Sequence, residues 1–267
     1  MANSWLQQMQ TNFADIFTQW RSSYTSNSQL IRVVSEEWFK TQMFCPSCNN
    51  NQVESLPNNS KAADFICTNC NETYQLKSKK LTLGRKVVDG QYDTMHDAII
   101  EGRAPNFCFM TYDLSSLSVT NLLLVPRFFI NLPILEKRKP LSATARRAGW
   151  TGCNILHQEI SDRGKLFVVE KQKVASAEEV RTKWNKIRFL QDYDDYNARG
   201  WITDILHCID AVKKEYFNLQ EMYQFEAYLA SNHPLNNNIK PKIRQQLQIL
   251  RDRGIIDFVG RGEYRVL

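Results

Sequence analysis

Apolar residues recur at three-and-four spacing through the first 44 residues. Trp5, Leu6, Met9, Phe13, Ile16, Phe17 and Trp20 form one such series, and after the turn-like Ser26-Asn27-Ser28 it resumes with Leu30, Val33, Val34 and Trp38. The pattern predicts helices. Short alternating segments follow around Asp64 and Gln75, then a polar stretch with Gly84 and Asp89-Gly90 leads into a helix carrying Tyr92, Met95 and Ile99. Strand texture takes over at 106–112 (NFCFMTY), 118–126 (SVTNLLLVP) and 165–170 (KLFVVE), where short apolar runs are bounded by turn residues. A mixed α/β core is expected over residues 1–190, and the acidic, polar run 191–200 (QDYDDYNARG) reads as a linker.

Beyond the linker, residues 201–267 read as a second domain. One helix holds Trp201, Ile205, Cys208 and Ile209, and a second holds Leu219, Met222, Phe225 and Leu229. A third runs from about Asn238 to Arg253 with Ile239, Ile243, Leu247 and Leu250 on one side, and the tail alternates about Gly260-Arg261-Gly262 as a β-hairpin does. Three helices and a terminal hairpin are the order of a winged helix. No internal repeat or low-complexity tract is present.

Composition changes this picture little. The 267 residues are 43% hydrophobic, enough for one large core or two modest ones. No stretch approaches the roughly 20 apolar residues that span a bilayer, and the N-terminal residues lack a basic start before an apolar run, so a cytoplasmic protein without membrane contact is expected. The net charge of +6 permits a nucleic-acid partner without requiring one. Histidines 96, 157, 207 and 233 show no paired spacing, and the absence of Walker A and Rossmann glycine patterns predicts no nucleotide cofactor.

Cysteine spacing is the most specific signal. Four of the seven cysteines form two C-x2-C pairs, Cys45/Cys48 and Cys67/Cys70, separated by eighteen residues. This spacing suits a tetrahedral Zn²⁺ held by four thiolates, a closed and therefore structural site; four unrelated buried thiols are the rival reading. Beside it, Gln75 and Lys77 stand two apart, so on a strand they share a face, with Asp64 ahead of Gln75 by ten intervening residues. Metal-dependent phosphodiester hydrolysis needs oxygen ligands for Mg²⁺ and a cation at the attacking water. Asp64 offers a carboxylate, Gln75 a neutral oxygen and Lys77 the cation, although an exposed strand with a Gln and a Lys is the commoner origin of such spacing.

Basic residues add support. Lys77, Lys79, Lys80, Arg85 and Lys86 crowd one segment, and the loop-like 141–150 carries Arg146 and Arg147 ahead of Trp150, which suits phosphate contact with a ring to stack or wedge. A charge run is also what a solvated face looks like. Residues 201–235 hold two Lys/Arg against five Asp/Glu, whereas 236–267 hold seven against three. Positive charge thus gathers on the third helix and hairpin, the parts a winged helix lays on DNA. Lys242, Gln245 and Gln248 are expected to point outward, with Arg244 and Arg251 flanking and Arg261 at the hairpin; Gln245 and Gln248 are candidate adenine readers. A protein-binding winged helix is the rival.

These segments together resemble the DpnI-type restriction endonucleases, grouped as Dam-replacing proteins. The resemblance runs from about Ser26 onward and rests on CPSC (45–48), ADFICTNC (63–70), LKSKK (76–80), RKPLSATARRAGWTGCNI (138–155) and IRQQLQILRDRGIIDFVGRGEYRVL (243–267). It implies an α/β, mixed-sheet nuclease core of the PD-(D/E)-x-K type with a zinc-binding insertion at 45–70, followed by a winged helix that also reads DNA. It further implies Mg²⁺-dependent cutting of double-stranded GATC carrying N6-methyladenine, leaving 5′-phosphate ends, by a bacterial cytoplasmic protein expected to act as a monomer. Asp64 matches the family's catalytic aspartate and Lys77 its lysine. Gln75 stands where the pattern has Glu, and Ala63 where it has Pro.

Gln at this position removes a negative charge from the metal site. Glu36 or Glu37 on the preceding helix is the expected compensating carboxylate, ahead of Glu72, whose strand parity is opposite to that of Gln75. One buried methyl is worth about 0.8 kcal/mol, and pocket shape raises discrimination only to roughly 1–3 kcal/mol. Two readers of a palindrome multiply that factor, with Trp150 and an outward Ile249 as expected methyl contacts. The alternative is a non-catalytic zinc and winged-helix DNA-binding regulator with a degenerate nuclease site.

Overall fold

The computed structural model describes residues 9–57, 60 and 62–267. Trp5 and Leu6, read as the start of the first helix, lie outside the described residues. The first helices are α1 (Ala14–Arg21) and α2 (Asn27–Gln42), the latter burying Leu30, Val34, Trp38 and Phe39. Then come the two-residue strands β1 (Glu54–Ser55) and β2 (Phe65–Ile66), the long β3 (Thr73–Lys80), β4 (Val87–Gln91), α3 (Tyr92–Ile100), β5 (Asn106–Asp113) and β6 (Ser118–Val125). After two 3-10 turns follow β7 (Leu135–Lys137), β8 (Gly152–Ile155), β9 (Leu166–Glu170), β10 (Lys173–Val174) and α4 (Ala177–Ile187).

Seven strands form a mixed sheet in the order β1-β2-β3-β5-β6-β9-β10, in which β3 and β5 run parallel and the other pairs antiparallel. The parallel pair requires a crossover, and β4 with α3 supplies it. β5 and β6 read as continuous apolar runs because both of their faces are covered. Trp38, Phe39, Phe65, Tyr74, Phe107, Phe109 and Trp184 are fully buried there, with Phe39 on Phe65 (ring centroids 4.7 Å apart) and Trp184 edge-on to Phe128 (5.4 Å). A second antiparallel sheet, β4-β8-β7, lies over α3. In β4 the pairing shifts register between Asp89 and Gln91, so Asp89-Gly90 is a β-bulge inside a strand and not the polar connection expected from the sequence.

The remainder is mainly helical. α5 (Tyr196–Val212) starts inside the run read as a linker, its N-terminus capped by the Asp195 side chain. β11 (Tyr216–Asn218), α6 (Leu219–Tyr223), α7 (Glu226–Asn232), α8 (Ile239–Asp252), β12 (Ile256–Gly260) and β13 (Glu263–Val266) complete the chain. The helix expected over Leu219–Leu229 is two: turn-type hydrogen bonds from the amides of Gln224 and Phe225 to the carbonyls of Glu221 and Met222 end the first. The hairpin is present, and β11 joins it in the order β11-β13-β12. The protein is thus a mixed α+β sheet domain with a C-terminal winged helix. Among the described residues no helix is long and apolar enough to cross a membrane.

Candidate active site and nucleic-acid interface

The four paired cysteines converge, their Sγ atoms all lying within 4.8 Å of one another. Backbone contacts shape both turns: the Asn50 amide lies 3.5 Å from Cys48 Sγ in the first, and the Cys67 amide donates to the Glu72 carbonyl at 2.8 Å across the second. Asn71 closes the second turn in a left-handed conformation (φ 61°), which Asn tolerates. Four converging thiols, two buried and two partly exposed, make this a cluster able to hold zinc. Tyr74 Oη, 3.1 Å from Cys45 Sγ, ties the cluster to β3 one residue before Gln75.

Asp64 enters β3 from the other direction. β2 ends its ladder with Phe65 opposite Tyr74, which leaves the next β3 amide on that side, Leu76 N–H, without a strand partner. The Asp64 carboxylate takes its place, Oδ2 accepting from Leu76 N at 2.8 Å. The strand edge itself therefore fixes the carboxylate beside Lys77. Burial pushes the Asp64 carboxyl above its ordinary value, against the lowering by the Leu76 amide and the Lys77 charge.

An open polar cleft of about 490 Å³ collects Asp64, Lys77, Leu76, Glu36 and Arg32. Lys77 and Arg32 also line an adjoining cleft of about 420 Å³ with Ser78 and Lys79. Glu36 pairs with Arg32 at 3.0 Å, and its carboxyl too is raised, first by burial, with the Asp64 charge adding to it. Gln75 is buried, and its Oε1 has no hydrogen-bond partner. Glu37 does not line the cleft. Glu72 faces elsewhere, accepting from Asn106 Nδ2 (2.8 Å) and Gln191 Nε2 (3.3 Å) and lying 3.4 Å from Arg127.

Sequence reasoning missed Asp89. Its side chain is fully enclosed, with Oδ1 2.6 Å from Lys77 Nζ. Asp-Gly is a turn signal in sequence, and only the bulge turns this aspartate toward β3.

In the 138–155 segment, Arg146 and Arg147 are exposed and the Arg147 guanidinium lies 4.9 Å from the centre of the half-buried Trp150 ring. A Cβ at Gly152 would fall 2.9 Å from that ring, so glycine lets the indole lie against the β8 backbone. On α8, Gln245, Gln248 and Arg244 are exposed, as is Arg261 at the hairpin turn. Two expectations need correction. Lys242 is half-buried, 5.8 Å from the Trp201 ring, and Ile249 is half-buried against the core, because the apolar face of α8 is broader than its four leading residues. Arg251 is engaged within the domain, bonded to Asp252 Oδ1 and 4.6 Å from the Phe258 ring.

A mixed-sheet domain with a polar cleft and a cysteine cluster, joined to a winged helix that exposes Arg244, Gln245, Gln248 and Arg261, defines a two-domain protein that acts on DNA. Residues 9–193 match the Dam-replacing family, and residues 197–266 match the Dam-replacing HTH domain. The chain belongs to the Dam-replacing family. Membership implies a DNA-binding nuclease of the restriction class.

Proposed function

We propose that the protein is an Mg²⁺-dependent, methyl-directed endonuclease that cuts double-stranded DNA at GATC containing N6-methyladenine and leaves 5′-phosphate ends. The observation that carries the reading is the meeting of Asp64 and Lys77 in one polar cleft, with Glu36 on its wall. The donor set fits a hard cation: the Asp64 and Glu36 carboxylates line the cleft and would hold Mg²⁺, and the neighbouring Gln75, buried and outside that lining, carries an unpartnered Oε1 as a further oxygen. The cation, when bound, supplies charge stabilisation to the scissile phosphate. Asp64 lines the cleft with Oδ2 engaged by the Leu76 amide, which leaves Oδ1 as the oxygen it would offer a cation. Lys77 brings a positive charge to the attacking water. Gln75 adds no charge, which makes Glu36 the compensating acid in preference to Glu37 or Glu72.

Recognition divides between two surfaces. Arg146 and Arg147 beside Trp150 suit phosphates and an adenine methyl, and Gln245 and Gln248 with Arg244 and Arg261 suit the major groove and backbone. Two readers multiply the modest discrimination that one methyl allows.

The test incubates the protein with fully methylated, hemimethylated and unmethylated GATC duplexes in Mg²⁺ or Mn²⁺, beside Asp64→Ala, Lys77→Ala and Trp150→Ala. Metal-dependent cutting of the methylated duplex, abolished by the first change, slowed to a small residual rate by the second and made less methyl-selective by the third, is expected. DNA binding without cutting under any metal favours a non-catalytic regulator, the reading to which the neutral Gln75 lends weight.

A further inference from the structure

Asp89 is the most enclosed acid near the cleft. Its side chain has no exposed surface, Oδ2 has no hydrogen-bond partner, and Oδ1 meets the Lys77 ammonium at 2.6 Å. A buried carboxylate with one cation and no other donor is unfavourable, and a lone ion pair seldom offsets its own desolvation, so the pair is a poor device for stability alone. Geometry offers another reason for it. The bulge at Asp89-Gly90 turns the side chain from the second sheet toward β3, and bulges of this kind re-aim side chains beside active sites. Lys77 retains 23% side-chain exposure, so its ammonium is held by Asp89 yet open to the cleft that holds Asp64. Asp89 does not line that cleft, and its Oδ1 is engaged by the Lys77 ammonium, which argues against it as a third metal ligand.

We propose that Asp89 is a positioning residue: its enclosed carboxylate fixes the Lys77 ammonium at the cleft and acts on the reaction only through that lysine. The proposal rests on the nuclease reading above. A flexible four-carbon lysine stem has many rotamers, and a fixed partner removes that freedom before DNA arrives.

The test compares the unchanged protein with Asp89→Asn, Asp89→Glu, Lys77→Met and the Asp89→Asn/Lys77→Met double variant, each checked for zinc content and thermal midpoint. Asp89→Asn is expected to slow single-turnover cutting about 10- to 100-fold while KM for DNA changes little, and Asp89→Glu to restore part of the rate. In the Lys77→Met background the same change should cost nothing further. In metal-free, DNA-free protein the Lys77 side-chain ¹⁵N ammonium resonance should be observable, protected from exchange, and lost in Asp89→Asn. An unchanged rate in Asp89→Asn, an equal further loss on Lys77→Met, or an ammonium signal that survives Asp89→Asn overturns the proposal. If the unchanged protein binds DNA but cuts no duplex, the nuclease reading falls and the catalytic role falls with it, whereas the ammonium signal still decides whether Asp89 holds Lys77.

Discussion

Asp64 and Glu36 sit in the cleft as acids whose ionised forms the fold disfavours, burial being the leading cause in both. A carboxyl raised by folding contributes stability below its unfolded value, and that contribution is lost as pH rises through the folded value. The neutral variants Asp64→Asn and Glu36→Gln should therefore melt above the parent at pH 7 without divalent cation, by ~2–4 °C for each kcal/mol relieved in a chain of this size. The gain should shrink toward acid, and added Mg²⁺ should raise the parent's midpoint more than either variant's. Thermal scans from pH 5 to 8 decide it, and parallel curves for parent and variants at every pH would rule the effect out. At this scale the sequence was informative wherever chemistry is written in spacing. Asp64, Lys77 and the four cysteines are legible because a strand's two-residue period and the C-x2-C turn leave few alternatives. Asp89 is not legible, since Asp-Gly inside a strand is written as it would be in a turn. Gln75 is half legible: its position is readable, while its unpartnered buried oxygen depends on packing from α2 and β5.

β1 and β2 have two residues each and cannot stand by their own ladders, yet β2 delivers Asp64 to β3. The cysteine cluster holds the loops at their bases, and Arg181 of α4 braces it by donating to the carbonyls of Cys45 (3.1 Å) and Asn50 (3.0 Å). Structural zinc binds such sites with apparent free energies of about 10–16 kcal/mol at neutral pH, so its removal should unfold this segment and free Asp64 from the Leu76 amide. Treatment with a strong chelator is expected to expose residues 45–70 to protease and to lower metal-dependent cutting, with one zinc released per chain. Protein purified without zinc and equally protease-resistant would refute this. The elements read best from sequence were those with long periodic or apolar signals: α2, β3, β5, β6, β9, α5 and α8. Among those missed, β4, β7, β8 and β11 are three to five residues long and take their pairing from distant partners, information no local pattern carries; the eleven-residue α4 and the two-residue β1 and β10 are missed as well.

α5 joins the two halves of the molecule. Asp204 on its buried face has a side chain only 5% exposed and accepts from Asn131 Nδ2 of the sheet domain (Oδ1, 3.1 Å) and from Asn232 Nδ2 (Oδ2, 3.1 Å), while His233 Nε2 lies 3.0 Å from Oδ2. The His233 ring stacks on Trp201 at 3.7 Å. One turn and a half further on, Asp210 accepts from Ser161 Oγ and the Asp162 amide. Polar contacts of this density fix an orientation, because each donor left alone in a buried seam carries a desolvation penalty. If two surfaces are to read one short palindrome, a fixed relation between them spares the ordering entropy of a loose tether. Asp204→Ala leaves Asn131, Asn232 and His233 without their shared acceptor and should destabilise the protein by about 2–4 kcal/mol. The expected calorimetric trace changes from one cooperative transition to two, the winged helix melting first. Zinc content should stay intact, and methyl discrimination should fall more than DNA affinity, since each surface still binds DNA when the seam is broken. A single unshifted transition in Asp204→Ala would mean that apolar packing along α5 alone couples the domains.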